Sequence, residues 1–113
     1  MNFELENKVA LVTGGSKNIG KEIALSLASE KVNIAFTYNS SENQAEETLS
    51  EIKKFGVKVK AYKLDISKFN ETQDVLQKIY NDFGNINILI NNAGFTKIKK
   101  FVETNIDDWN KQI

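Results

Sequence analysis

Among its 113 residues the chain has no cysteine, no histidine and no proline. Without thiols there can be no disulfide and no cysteine nucleophile; without imidazole the usual zinc ligand and the usual base at neutral pH are missing too. Carboxylates alone could still hold magnesium, but no Asp/Glu group falls at a ligand-like spacing. Excess charge is also lacking: 15 Lys and Arg balance 15 Asp and Glu. A balanced chain exerts no long-range pull toward nucleic acid or an anionic membrane. The paired Lys53 and Lys54, and Lys97 with Lys99 and Lys100, read as solvated faces. No run approaches the roughly 20 apolar residues of a membrane span. The opening Met1-Asn2-Phe3-Glu4-Leu5-Glu6 lacks the basic-then-apolar build of a signal peptide. The expected location is cytoplasmic, with neither nucleic acid nor membrane as partner. Repeats, linkers and low-complexity tracts are absent as well, so one domain is expected over 1–113.

What is present is an apolar share of 41%, arranged with two periods in alternation. Val9–Thr13 is short, apolar and β-branched, as a strand would be, and a glycine turn follows. Ile19, Ala24, Ile23, Leu27 and Ala28 then recur at helical spacing to about Glu30. Val32–Tyr38 predicts a second strand. Ser41-Glu42-Asn43-Gln44 fits a capping box, opening a helix carried by Ala45, Leu49, Ile52 and Phe55 and closed by Gly56. Val57–Leu64 alternates apolar residues with lysines, as a half-exposed edge strand does. A third helix is expected from a Ser67 cap, with Val75, Leu76, Ile79, Tyr80 and Phe83 on one side and Gly84 at its end. Ile86–Ile90 predicts a strand buried on both faces. Thr104-Asn105-Ile106-Asp107 opens a further helix. Strict β-α alternation predicts an α/β, Rossmann-type doubly wound parallel sheet with strand order 3-2-1-4. A ligand would then sit between strands 1 and 4, at the switch point.

Two signals fall at the ends of those two strands: Thr13-Gly14-Gly15-Ser16-Lys17-Asn18-Ile19-Gly20 and Asn91-Asn92-Ala93-Gly94. Three readings of the first compete. It could be a turn and nothing more. Gly15 to Lys21 matches the G-x-x-x-x-G-K of a phosphate loop, but the next residue is Glu22, where that loop needs Ser or Thr for magnesium. As a dinucleotide turn, it would present main-chain amides and the positive end of a helix dipole to a phosphate. The second strand, whose end should meet the adenosine ribose, follows on schedule.

Thr13-Gly14-x-x-x-Asn18-Ile19-Gly20, Asp65 after the third strand and Asn91-Asn92-Ala93-Gly94 after the fourth together resemble the short-chain dehydrogenase/reductase family. Within it the chain is most similar to bacterial 3-oxoacyl-[acyl-carrier-protein] reductases, through Met1 to Glu4, Val9 to Gly20, and Asn91 to Phe95 with Trp109. One position departs. The family pattern is T-G-x-x-x-G-x-G, and Asn18 replaces the middle glycine. Asparagine tolerates a left-handed backbone better than other side chains, so the turn should survive, and any effect falls on cofactor affinity.

The resemblance implies an oxidoreductase that reduces a carbonyl of the 3-oxoacyl type by hydride transfer, with this chain as its cofactor-binding N-terminal half. It places Gly14, Gly15, Ser16, Lys17, Asn18, Ile19 and Gly20 around the cofactor, with Ile19 toward the nicotinamide. Asp65 and Ile66 would meet the adenine; Asn92, Ala93 and Gly94 would run along the adenosine ribose toward the nicotinamide; Asn91 would tie strands together. A carboxylate at the end of strand 2 would mark NAD. The stretch Phe36-Thr37-Tyr38-Asn39-Ser40-Ser41 holds none before Glu42. Asn39 and Ser40 can donate to a 2′-phosphate and Lys17 adds a cation, so NADP(H) is favoured, with NAD(H) as the alternative. The family's Tyr-x-x-x-Lys does not occur: the residues four beyond Tyr38, Tyr62 and Tyr80 are Glu42, Ile66 and Gly84. No catalytic residue and no metal site is therefore assigned within the chain. Two further readings stay open: a non-catalytic truncated nucleotide-binding module, and a homo-oligomer formed through an exposed sheet edge or the remaining half, which would also receive a small-molecule or acyl-carrier substrate.

Overall fold

The computed structural model describes residues 5–16, 18–65 and 67–92. The elements alternate as β1 (Val9–Thr13), α1 (Asn18–Ser29), β2 (Asn33–Tyr38), α2 (Glu42–Lys53), β3 (Val59–Lys63), α3 (Phe69–Phe83) and β4 (Ile88–Asn91). The strands form one parallel sheet in the order β3-β2-β1-β4. Both the fold class and the strand order expected from the sequence are thus found.

The reason lies in the two faces of the strands. β1 is buried at all five positions and β2 at its four central ones, as strands covered on both sides must be. Successive side chains point to opposite faces. Ala10, Val12, Ile34, Phe36 and Val59 pack with Ala24 and Ala28 of α1 and Ala45 and Ile52 of α2. Leu11, Ala35 and Tyr62 pack with Val75, Leu76 and Ile79 of α3 on the other face. Burying a side chain such as Phe36 fully stabilises the fold by about 1.5–3 kcal/mol, and the small Ala24 and Ala28 let α1 lie close to the sheet.

Local details differ from the sequence expectations at four places. Ser41 occupies the N-cap position of α2, but its side chain makes no capping hydrogen bond. Ser67 does not cap α3. Lys68 is the N-cap residue and Phe69 the first helical one, because the Ser67 amide and hydroxyl both donate to Asp65 Oδ1, at 3.0 and 2.6 Å. A capping hydroxyl must accept from the helix amides, and that of Ser67 is instead oriented by its own neighbour, Asp65. β4 starts at Ile88 rather than Ile86 and is half-buried throughout, since it is an edge strand among the described residues. β3 is shorter than Val57–Leu64 and departs from the expected alternation: Lys60 and Lys63 are exposed on opposite faces, and Tyr62 is buried on the face of Lys60. Gly84 closes α3 as expected, in a left-handed conformation with φ 79°, its amide donating to the Tyr80 carbonyl. The helix expected at Thr104 lies outside the described residues.

Candidate functional site

The glycine turn and the end of β4 meet at one edge of the sheet. Thr13 stands opposite Asn91 in the parallel register of β1 and β4, and its hydroxyl lies 3.2 Å from Asn91 Oδ1 and 3.4 Å from the Ile90 carbonyl. Asn91 therefore ties the two strands together. One residue on, Asn92 Nδ2 donates to the Gly14 carbonyl at 3.3 Å. This junction is the switch point of the sheet, where β2 and β3 run off one side of β1 and β4 lies on the other. In open parallel sheets ligands bind outside the carboxyl ends of such a pair of strands.

The turn itself is held from behind. The Gly14 amide donates to Thr37 Oγ1 at 3.2 Å and the Gly15 amide to the Thr37 carbonyl at 3.1 Å. These two amides are committed to β2, so they shape the loop, and anion binding falls to the amides that follow. Gly14 adopts φ 65°, and Asn18 takes up φ 56°, the left-handed backbone expected of an asparagine at that position. A Cβ on Gly15 would sit 2.7 Å from Phe36 Cβ. A Cβ on Gly20 would sit 2.3 Å from the Gly14 carbonyl oxygen and 2.7 Å from Asn92 Nδ2. Glycine at 20 is what lets α1, the turn and the β4 end close on one another.

α1 begins here with no acidic residue in its first turn. The first amides of a helix lack intrahelical acceptors, and the helix dipole adds positive potential. Donors of this kind, with no carboxylate in the same turn, suit a phosphate. Ile19 projects from the same turn and is 68% exposed, at the head of a concavity of ≈ 640 Å³ that also touches Asn18, Glu22, Ile23 and Ser26. Ser16 is buried, and its carbonyl accepts from Thr48 Oγ1 of α2 at 2.8 Å. Asn39 and Ser40 lie exposed just past β2. Glu42, the first acid after β2, is 3.9 Å from Lys63 Nζ on β3. Asp65 follows β3, and its bonds from Ser67 hold the carboxyl below the usual carboxylate range. Lys17, Ile66, Ala93 and Gly94 lie outside the described residues.

The sequence reading missed Thr37 and Thr48, both buried. The signal was there for each. Thr48 sits on the apolar stripe of α2, in step with Ala45, Leu49 and Ile52, where a hydroxyl needs a partner. Thr37 interrupts an otherwise apolar strand just before its end. Among the described residues no group of three or more Asp, Glu, His or Cys could hold a metal ion, and no helix is long and apolar enough to cross a membrane.

Comparison with known proteins places this geometry. Residues 8–113 match the sequence profile of the short chain dehydrogenases. A 3-oxoacyl-[acyl-carrier-protein] reductase FabG from Staphylococcus epidermidis is 38% identical over 107 residues, covering 95% of this chain and 44% of the relative. The chain thus spans under half the length of that protein. The short-chain dehydrogenase/reductase homolog YusS from Bacillus subtilis is 43% identical over 91 residues, covering 80% of this chain and 84% of that one. Among solved structures, a Burkholderia cenocepacia short chain dehydrogenase in complex with NADP superposes with TM-score 0.77 at 35% identity, over 80% of this chain and 37% of that one. An NAD+-bound xylitol dehydrogenase does so with TM-score 0.76 at 33% identity, over 81% and 35%. Strand order, switch-point loop and sequence agree, and the chain belongs to the short-chain dehydrogenase family of Rossmann-fold oxidoreductases.

Proposed function

We propose that this chain binds NADP(H) at the junction of β1, α1 and β4, as the cofactor half of an oxidoreductase that reduces a carbonyl of the 3-oxoacyl type. The observation that carries the reading is the closure of the glycine turn on the β4 end, with Asn92 Nδ2 on the Gly14 carbonyl. In this arrangement Ser16, Lys17, Asn18, Ile19 and Gly20 surround the pyrophosphate and the path toward the nicotinamide, with Gly14 and Gly15 shaping the turn. Asn92, Ala93 and Gly94 line the ribose. Asp65, whose Oδ1 is taken by Ser67, offers Oδ2 to the adenine amino group, beside Ile66. The bound cofactor supplies the hydride; this chain's residues bind and orient it.

Relatives with NADP and with NAD+ are both known, so the preference rests on the end of β2. Asn39 and Ser40 are uncharged and exposed there, and the first carboxylate, Glu42, faces Lys63. A 2′-phosphate meets donors and no like charge. Titration of the chain with NADPH and NADH, followed by nicotinamide fluorescence, tests this. Saturable NADPH binding, tighter than NADH, is expected; tighter NADH binding would reverse the assignment, and no binding of either would end it.

Chemistry on a substrate belongs, in this reading, to sequence that carries a Tyr-x-x-x-Lys, in a cytoplasmic protein whose remaining half receives a small-molecule or acyl-carrier substrate and completes the sheet beside β4 within a homo-oligomer. A second reading, a nucleotide-binding module without turnover, draws on YusS. A match of 91 residues there covers 84% of the relative, so a short member has precedent. Incubating the chain with NADPH and a 3-oxoacyl thioester separates the two: NADPH consumption by the chain alone would exclude the module.

A further inference from the structure

We propose that Thr48, in the middle of α2, is a positioning residue for the pyrophosphate-binding turn. The inference rests on the cofactor reading above and extends it to a helix that carries none of the proposed ligand contacts.

Thr48 is fully buried and Ser16 is 5% exposed, and the hydroxyl of the one donates to the carbonyl of the other at 2.8 Å. The two are 32 residues apart in sequence, so the bond links α2 to the stretch of chain entering α1. A peptide unit is planar; a carbonyl pinned inward therefore sets the direction in which the chain leaves Ser16 toward the first turn of α1. From the other side, Thr37 takes the amides of Gly14 and Gly15. The turn is thus anchored at both ends by buried threonines, and Lys21 Nζ to Glu51 at 2.8 Å adds a second link between α1 and α2 on the surface. With the Thr48 hydroxyl removed, the Ser16 carbonyl loses the donor that holds it inward, and a buried acceptor does not lose its donor without cost. Either it rotates to reach water and the turn moves with it, or the loop loses its fixed shape. Both outcomes weaken an anion site built from aligned amides, since donors that must be ordered on binding cost affinity.

The chemistry of the cofactor makes the role testable. NADPH and NADH share the pyrophosphate, whereas adenosine 2′-monophosphate has none and, in the same reading, meets the ends of β2, β3 and β4 without reaching the turn. Thr48→Val keeps the shape of the side chain and deletes the donor. Dissociation constants measured on folded protein for all three should show NADPH and NADH weakened by the same factor, about tenfold, and adenosine 2′-monophosphate changed less than twofold. Thr48→Ser, which keeps the hydroxyl, should restore both dinucleotides. Unchanged dinucleotide binding in folded Thr48→Val, equal loss for all three ligands, or loss confined to NADPH would each overturn the proposal. If the valine variant does not fold, Thr48→Ala removes the same hydroxyl in a residue that suits a helix better, and is judged by the same three constants. Failure of the unaltered chain to bind NADPH or NADH would instead sink the cofactor reading, and this inference with it.

Discussion

Gly20 is where two physical effects of opposite sign can be separated by one substitution. It is the third residue of α1 and lies in the helical region. Replacing a helical glycine by alanine ordinarily gains about 1 kcal/mol through backbone entropy. Here the new Cβ would lie 2.3 Å from the Gly14 carbonyl oxygen and 2.7 Å from Asn92 Nδ2. The Asn92 amide can swing aside, but it then gives up its bond to Gly14. The carbonyl is main chain, in a turn whose next amide is bonded to Thr37, so it cannot yield by the ångström required without moving the loop. Overpacking of this kind costs about 1–3 kcal/mol and sometimes more; set against the gain, Gly20→Ala should come out net destabilising by up to about 2 kcal/mol. Urea unfolding followed by far-ultraviolet circular dichroism reads this as a lower midpoint at unchanged slope. Ser26→Ala, exposed on the same helix, is the propensity control and should be neutral or slightly stabilising. The reasoning also requires that Gly20→Ala weaken NADPH binding, because the displaced loop is the proposed anion site. A variant as stable as the parent or more so, with unchanged NADPH affinity, would show that the turn and helix do not meet as closely as argued.

Three further outcomes follow from the charges. Burial, and then the hydrogen bond to Asp82 at 2.7 Å, push the Tyr62 phenol well above its ordinary value. Its neutral form is favoured in the folded state, so that stability is complete below about pH 10 and falls as pH rises beyond it; urea midpoints from pH 8 to 11 should drop for the parent and less for Tyr62→Phe. The Tyr62 hydroxyl, and then Lys60 at 3.0 Å, hold the Asp82 carboxyl below its ordinary value. That contribution is present above about pH 4 and is lost as pH falls through the lowered value, so Asp82→Asn should flatten the acid side of the same profile, and a profile identical to the parent's would refute the pairing. Asn39→Asp places a carboxylate at the end of β2 and should weaken NADPH by about tenfold with little change for NADH; equal effects on the two cofactors would remove Asn39 from the 2′-phosphate site.

The sequence by itself determined the architecture. Four apolar residues in β1 and a largely apolar β2, set between stretches of helical period, leave few ways to cover both faces except crossover helices and a parallel sheet. The glycine spacing and the two asparagines at the end of β4 marked the switch point, because those residue types are needed wherever backbones approach closely or a strand end must be tied. Sequence also carried the left-handed Asn18, a conformation that asparagine bears at low cost. Only the tertiary structure decided which polar groups met. Ser41 and Ser67 stand in cap-like sequence contexts, yet one makes no capping bond and the other turns to Asp65, since capping needs the hydroxyl oxygen placed over the helix amides and sequence context does not fix that placement. Thr37 and Thr48 behave in the opposite way: they lie 23 and 32 residues beyond the groups they hold, and only the folding of β2 and α2 against the turn brings them there. Periodicity fixes faces, because burial depends on one chain's own pattern; a hydrogen bond needs two groups in register, and that register exists only once the sheet has formed.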